Sequence, residues 1–106
     1  MNEFNLERIK ALCEKENLRW TMHIMTRLLQ REISLDDVTQ AIKSGEIIEN
    51  YPDDYPYPSC LIFGRDKNSQ ALHVVCGASE NELWLITAYR PSLEFWEDDL
   101  KTRKDG

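Results

Sequence analysis

Three runs of sequence decide the fold: Ser59-Cys60-Leu61-Ile62-Phe63-Gly64, Leu72-His73-Val74-Val75-Cys76 and Leu83-Trp84-Leu85-Ile86-Thr87-Ala88-Tyr89. Short aliphatic and aromatic runs bounded by polar turns are typical of β-strands. The turns between them, at 65–69 and 79–82, are too short for parallel crossovers, so the strands are expected to be antiparallel neighbours. A further run, Glu46-Ile47-Ile48-Glu49-Asn50-Tyr51, precedes them. The second half of the chain therefore predicts a four-stranded antiparallel sheet.

Helical periodicity fills the part of the chain before these strands. Apolar residues recur at spacings of three and four over 3–16 and over about 22–32, which predicts two helices. Asn2 or Asn5 is expected to cap the first helix and Thr21 the second, because a short polar side chain accepts a hydrogen bond from an N–H group at a helix start. The three residues ahead of Thr21 are predicted to form a brief extended piece.

A third helix is predicted between Ser34 and Gly45. Ser34 and Asp37 resemble a capping box, and Gly45 occupies the position where a glycine commonly ends a helix. After the last strand, Pro91 and the apolar residues that follow it predict a short C-terminal helix. Helices grouped before strands favour an α+β fold, and the length suits a single domain over residues 1–106. The helices are expected to cover one face of the sheet.

Composition limits the partners of the chain. The 106 residues carry a formal net charge of -6, so bulk electrostatics will not attract nucleic acid and any such binding needs a local basic patch. The N-terminus lacks a signal-peptide pattern, and no apolar run is long enough to span a membrane. Cys13, Cys60 and Cys76 are widely spaced without a C-x-x-C motif, which indicates neither a disulfide framework nor a zinc site. We expect a cytoplasmic protein with reduced thiols and no metal or cofactor.

A basic ridge is predicted on the second helix. His23, Arg27 and Arg31 follow one another at i, i+4 and i+8, and therefore lie on one side of that helix. Arginine presents a fixed fork of N–H donors to anionic oxygens, and histidine titrates near neutral pH. The ridge suits a site that holds a phosphate and moves a proton. The alternative is a solvated helix face with long cationic side chains.

Several motifs resemble those of a small bacterial family of uncharacterised domains: Thr21-x-His23-x-x-x-Arg27-x-x-x-Arg31, Tyr51-Pro52-Asp53-Asp54, Leu72-His73-Val74-Val75 and Ile86-Thr87-x-Tyr89-x-Pro91. The similarity covers roughly residues 18–102. That family resembles the RelE/ParE and MqsR group of toxin-like folds, and its members are often encoded beside antitoxins with a zinc-binding domain. The resemblance implies a RelE/MqsR-like toxin of a type II toxin–antitoxin pair, a metal-independent endoribonuclease acting on RNA, with a cognate antitoxin as partner.

Cleavage of RNA without a metal needs a base for the 2′-OH, cations for the charge on phosphorus and an acid for the leaving oxygen. His23 or His73 is a candidate base, Arg27 and Arg31 are candidate cations, and Tyr89 is a candidate proton donor or stacking surface. If the apolar side of the second helix packs on the sheet, His23 and Arg27 reach Tyr89 only if the helix lies at the sheet edge or another element folds over them. A hydrogen-bonded strand histidine and a partly buried tyrosine are the structural alternatives for His73 and Tyr89.

The proline- and tyrosine-rich segment 52–58 is the second unusual feature. Tyr55 and Tyr57 are candidates for stacking on unpaired bases, and Arg90 is a further candidate for substrate binding. Asp53 and Asp54 would repel phosphates there, whereas a stiff aromatic loop suits a protein partner. The segment therefore predicts a structural or partner-binding loop. It also supports an alternative function for the whole domain, a non-enzymatic protein-binding module.

Overall fold

The computed structural model describes residues 5–15 and 17–104, and within them it has an α+β fold. The elements in chain order are α1 (Leu6–Glu14), β1 (Leu18–Arg19), α2 (Met22–Gln30), α3 (Leu35–Ser44), β2 (Glu46–Tyr51), β3 (Ser59–Arg65), β4 (Ala71–Ala78) and β5 (Leu83–Tyr89). The strands form one sheet in the order β1-β5-β4-β3-β2. The predicted α+β class is confirmed, and the predicted run of four antiparallel strands is present as β2 to β5.

The sheet has a fifth strand that pairs in parallel, so the prediction of four antiparallel strands is wrong in the number of strands and in their relative direction. The extended piece before α2 is β1, which pairs parallel to β5 through Leu18 with Leu83 and Arg19 with Trp84. Two residues carry no readable alternation of apolar and polar side chains, and their partners lie more than 60 positions away in the chain. The pairing therefore has no local sequence signal.

The helices are shorter than predicted. The first, predicted over 3–16, is observed as α1 with Asn5 as its cap, and Asn2, Glu3, Phe4 and Glu16 lie outside the described residues. Thr21 caps α2 as expected, and its hydroxyl accepts a hydrogen bond from the Ile24 N–H at 3.2 Å. None of the described helices is long and apolar enough to cross a membrane.

The start of α3 matches its prediction, and its end packs unusually closely on β3. Ser34 and Asp37 form both hydrogen bonds of a capping box, each 3.0 Å long. Gly45 follows the helix in an extended conformation, and a Cβ atom there would lie 2.5 Å from the Ala41 carbonyl oxygen. A Cβ on Gly64 of β3 would lie only 1.9 Å from the same oxygen. The two glycines therefore let the helix backbone approach the sheet.

The two faces of the sheet have different coverings. On one, the helical face, the strands bury their side chains with those of the three helices in a single apolar cluster that includes Ile9, Leu28, Val38, Ile42, Ile62, Val74 and Leu85. Alternation along the strands places the remaining side chains on the opposite, distal face. That face carries Phe63, His73 and Tyr89, which are aligned across β3, β4 and β5. Residues 91–104, the C-terminal segment, lie against it.

The predicted C-terminal helix is wrong, because the C-terminal segment consists of turns and one isolated bridge between Trp96 and Arg103. The Asp99 carboxylate accepts hydrogen bonds from the Lys101 and Thr102 backbone N–H groups, at 2.8 and 3.0 Å, in place of helical partners. Such local side-chain bonds compete with helix formation. Leu100 adopts a φ of 58°, which no α-helix contains.

Candidate functional site on the distal face

The distal face presents three rows of side chains across the antiparallel strands. The first row is Glu46, Phe63, His73 and Tyr89, the second is Glu49, Leu61, Val75 and Thr87, and the third is Tyr51, Ser59, Gly77 and Trp84. The C-terminal segment contacts the first row, where the Lys101 ammonium lies 3.0 Å from the Glu46 carboxylate. The loop 52–58 contacts the third row, since the Ser59 hydroxyl donates a hydrogen bond to the Asp54 carboxylate.

His73 is fully buried between two hydrogen-bond partners. Its Nε2 lies 2.7 Å from the Leu100 carbonyl oxygen, which can only accept, so Nε2–H is the donor. Its Nδ1 then accepts from the Tyr89 hydroxyl at 3.2 Å. Burial lowers the pKa of His73 and outweighs the opposite effect of the Leu100 bond, which keeps the ring neutral at pH 7. The Trp96 ring packs edge-on against it, with 4.5 Å between the ring centroids.

The structure thus brings two of the predicted catalytic residues, His73 and Tyr89, into direct contact. Tyr89 is half-buried, and burial raises the pKa of its hydroxyl, so it remains a proton donor at neutral pH. His73 itself has no exposed surface. A catalytic role for His73 stays a prediction, and direct contact with a substrate would require the C-terminal segment to move away.

Arg31 connects the basic ridge to the same end of β5. Its Nη1 donates to the Thr87 hydroxyl at 3.1 Å and to the Ala88 carbonyl at 2.8 Å. Because β1 pairs only with Leu83 and Trp84, the second half of this edge of β5 has no strand beside it, and α2 packs there. The helix therefore lies at the sheet edge, and Arg31 reaches the residues next to Tyr89.

His23 and Arg27 lie further towards the start of α2, and both are exposed. Neither side chain has a hydrogen bond or an ion pair with any described part of the chain. The ridge therefore combines one anchored guanidinium, on Arg31, with an imidazole and a second guanidinium that face solvent. The structure brings Arg31 next to Thr87 and Ala88, while His73 lies inside the protein.

Arg90 lies apart from the ridge and has a structural environment. Its guanidinium forms an ion pair with the buried Asp66 carboxylate at 2.9 Å and approaches Asp37 of α3 at 3.9 Å. Burial acts to raise the pKa of Asp66, but two backbone N–H groups and Arg90 outweigh it and hold that pKa below its usual value. Arg90 also donates to the Ala71 carbonyl at 3.2 Å. Its predicted part in substrate binding would require these contacts to be given up.

Tyr55 and Tyr57 border a groove at the other end of the distal face. Its volume is about 630 Å³, and it is lined by Thr21, Asp54, Tyr55, Pro56, Tyr57, Gly77, Trp84, Leu85 and Ile86. Tyr55 is 95% exposed and Tyr57 37%. None of the lining residues is a lysine or arginine, so the groove provides no cation for a phosphate.

Sequence reasoning missed a polar cluster in the second and third rows. Arg103 donates two hydrogen bonds to the Glu49 carboxylate, at 2.7 and 3.1 Å, and the Tyr51 hydroxyl donates to the same carboxylate. The bonds from Arg103 lower the pKa of Glu49, whereas burial and the neighbouring carboxylate raise the pKa of Tyr51 to about 12. Arg103 also lies over the Trp96 ring. A pair 54 positions apart leaves no local pattern to detect.

Comparison with known proteins identifies a family and little else. No curated protein and no solved structure matches the chain. In the described ranges, no group of three histidine, cysteine, aspartate or glutamate side chains could hold a metal ion. One family matches residues 20–90, which are two thirds of the chain and contain the ridge, the loop 52–58 and strands β2 to β5. The chain therefore belongs to the family described as a domain of unknown function, DUF4258.

Proposed function

We propose that this domain is a RelE/MqsR-like toxin of a type II toxin–antitoxin pair, which cleaves RNA without a metal ion and is held inactive by a cognate antitoxin. The observation that carries the proposal is the contact of Arg31 with Thr87 and Ala88. It joins the basic ridge on α2 to the end of β5 that carries Tyr89. The motif resemblance along residues 18–102 supplies the class of reaction.

The proposed chemistry assigns each group one task. His23 removes the proton from the 2′-OH, and the 2′ oxygen attacks the adjacent phosphorus. The bond from phosphorus to the 5′ oxygen breaks, and that oxygen takes a proton from the Tyr89 hydroxyl, which first gives up its hydrogen bond to His73. His23 then loses its added proton to solvent, and Tyr89 regains one from solvent. Arg27 and Arg31 stabilise the negative charge that gathers on the phosphate oxygens. The products are a 2′,3′-cyclic phosphate and a 5′-hydroxyl.

The charge distribution predicts how such an enzyme binds. The net charge of -6 opposes RNA, so attraction has to come from the ridge at short range. His23 and Arg27 carry no partner in the described residues and are available for this. Binding through a few cations is expected to weaken steeply as salt concentration rises.

The first test is RNA cleavage by the purified protein and two ridge variants. His23→Ala removes the general base and is expected to lower the cleavage rate by about 100-fold or more. Arg27→Ala removes one phosphate-binding cation and is expected to lower it as well. The matched control is Lys43→Ala, which removes one positive charge from an exposed position on α3.

The readout is the rate of RNA cutting and the chemistry of the new ends. A 2′,3′-cyclic phosphate formed in the presence of EDTA, with activity lost in both ridge variants and kept in Lys43→Ala, would support the proposal. Cleavage at the wild-type rate by His23→Ala and Arg27→Ala would reject this site. Induced expression in bacteria gives a second readout, since growth arrest should follow the same pattern.

A non-enzymatic protein-binding module is the second candidate function. It is favoured by the groove beside Tyr55 and Tyr57, which has aromatic walls and no cation. Absence of both RNA cleavage and growth arrest, in a wild-type protein shown to be folded, would favour this candidate over the first.

A further inference from the structure

We propose that the groove lined by Tyr57 and Trp84 binds a short peptide segment of a partner protein, one that places an aliphatic or aromatic side chain next to a lysine or arginine. This inference deepens the second candidate function by giving the binding surface and the chemistry of its partner. It does not depend on cleavage of RNA, because the ridge and this groove use different residues.

The floor of the groove is apolar, and the groove has room for a side chain. The floor includes Trp84 and Ile86, and Ile86 is 46% exposed. Gly77 lies opposite Trp84 in the neighbouring strand, and a Cβ there would lie 3.3 Å from the Pro58 carbonyl and 3.6 Å from Ile86 Cδ1. The missing side chain leaves space between the loop and the sheet. A volume of about 630 Å³ suits an anchor residue with its neighbours.

Trp84 lines the groove and carries a hydrogen-bond donor that has no acceptor within the described part of the chain. Its indole Nε1 is buried, and it alone among the buried side-chain polar atoms of the described residues has no partner. A buried donor without an acceptor is costly, and a ligand recovers that cost if its binding turns the indole so that Nε1 meets an acceptor. A peptide supplies such acceptors as backbone carbonyls. The unpaired indole N–H is an independent observation that supports ligand binding in the groove.

The negative charge at the rim of the groove favours a basic residue in the peptide, next to the residue whose side chain fills the groove. Asp54 lines the groove, and Asp53 precedes it in the same exposed loop. The Ser59 hydroxyl donates to the Asp54 carboxylate, which fixes the position of that charge. With the Asp54 carboxylate lining the groove, Asp53 next to it in the chain and no cation among the lining residues, a lysine or arginine is attracted. The same arrangement repels the phosphates of a nucleic acid, although Tyr57 and Trp84 offer stacking surfaces.

The test uses defined peptides and the indole N–H signal of Trp84 in NMR spectra. The probes are capped nonapeptides with a central Leu-Lys or Phe-Arg pair, the same peptides with glutamate as the charged residue, and single-stranded hexaribonucleotides. The basic peptides are expected to shift the Trp84 signal in a saturable way. The glutamate peptides are expected to bind at least ten-fold more weakly, and the difference should shrink at high salt.

Two variants locate the binding. Trp84→Phe keeps an aromatic ring and removes the N–H, and Asp54→Asn keeps an acceptor for Ser59 and removes the charge. Each is expected to weaken the basic peptides by about five-fold or more, measured by calorimetry. If Trp84→Phe fails to fold, Ile86→Ala tests the floor in its place. The matched control is Leu29→Ala, which truncates an 80%-exposed side chain on α2.

Three results would overturn the inference. Equal binding of basic and acidic peptides would show that the charge of the rim does not select the peptide. A Trp84 signal shifted only by the hexaribonucleotides would make the groove a base-stacking site. Peptide binding that shifts other residues and leaves Trp84 unchanged would keep the protein-binding function and reject this groove. Absence of any peptide binding would reject the groove as a peptide site, while the second candidate function is judged by RNA cleavage and growth arrest.

Discussion

On the helical face of the sheet, the strands bury aliphatic side chains and glycines against α3, whereas on the distal face the same strands bury His73 and Phe63 beneath a segment without regular structure. The first interface depends on the close approach of α3 to β3, since the Ala41 carbonyl leaves no room for a side chain at Gly64. The second depends on hydrogen bonds, since His73 is held by Tyr89 and Leu100.

The difference predicts how each face responds to change. A close-packed apolar interface is disturbed by added volume at any pH. A buried polar network is disturbed by loss of a partner, and its stability changes with protonation. Three tests probe this contrast, from the largest expected effect to the smallest, and the first of them has a matched control.

Gly64→Ala is expected to be the most damaging. Its Cβ would lie 1.9 Å from the Ala41 carbonyl oxygen and 2.5 Å from the Ala41 carbonyl carbon, both of them backbone atoms. Because α3 would have to move off the sheet, we expect the free energy of unfolding to fall by about 3 kcal/mol or more. Urea unfolding measures the loss.

Gly77→Ala on the distal face is the matched control. The nearest atom to its added Cβ would be the Pro58 carbonyl oxygen at 3.3 Å, so a small movement of the loop relieves the contact. We expect a loss below about 1 kcal/mol. Equal losses in the two variants would show that the helical face is no more closely packed than the distal face.

His73→Phe tests the polar network by way of pH. In the wild type, burial holds the pKa of His73 below the unfolded value of 6.5, so between the two pKa values the unfolded chain binds more protons. Stability is therefore expected to fall as the pH falls below 6.5, by up to about 1.4 kcal/mol per pH unit. The variant leaves the Leu100 carbonyl and the Tyr89 hydroxyl unpaired, which costs about 1–3 kcal/mol near neutral pH.

The measurement is the free energy of unfolding at several pH values between 7.5 and about 5, above the range where carboxylates titrate. His73→Phe should remove the dependence on pH, while His23→Ala, which changes the exposed histidine, should keep it. If the free energy of unfolding of His73→Phe still changes with pH, another titratable group causes the change.

The Glu49–Arg103 pair is expected to contribute least. The Arg103 side chain is 58% exposed and that of Glu49 23%, so solvent screens the pair despite its two hydrogen bonds. A double-mutant cycle with Glu49→Gln and Arg103→Ala should give a coupling energy below about 1 kcal/mol that declines with added salt. A coupling well above that value would make this pair the main attachment of the C-terminal segment.

Local signals were sufficient for much of the fold. The N-caps of α2 and α3, one of the two candidate N-caps of α1 and the bounds of β2 and β5 follow from residues close in sequence, because capping bonds and strand alternation involve near neighbours. The C-terminal segment was mispredicted for the opposite reason. Its apolar residues suggest a helix, but Trp96 packs against His73, which lies 23 positions earlier.

The candidate site could be predicted only in part. The ridge of His23, Arg27 and Arg31 is a property of one helix, so spacing alone gives it. That Arg31 reaches Thr87 depends on where α2 packs against the sheet. Similarly, Tyr57 could be identified from its loop, but the unpaired indole of Trp84 beside it could not.

By itself, the sequence determined the α+β class, the order of helices before antiparallel strands and the positions of the basic ridge and the tyrosine loop. Periodicity, capping and turn chemistry act over a few residues, so they do not depend on the tertiary fold. The tertiary structure decided that β1 joins the sheet in parallel, that His73 is buried while His23 stays exposed, and that residues 91–104 cover one end of the distal face. Those outcomes rest on contacts between distant parts of the chain, whose energies depend on packing and desolvation.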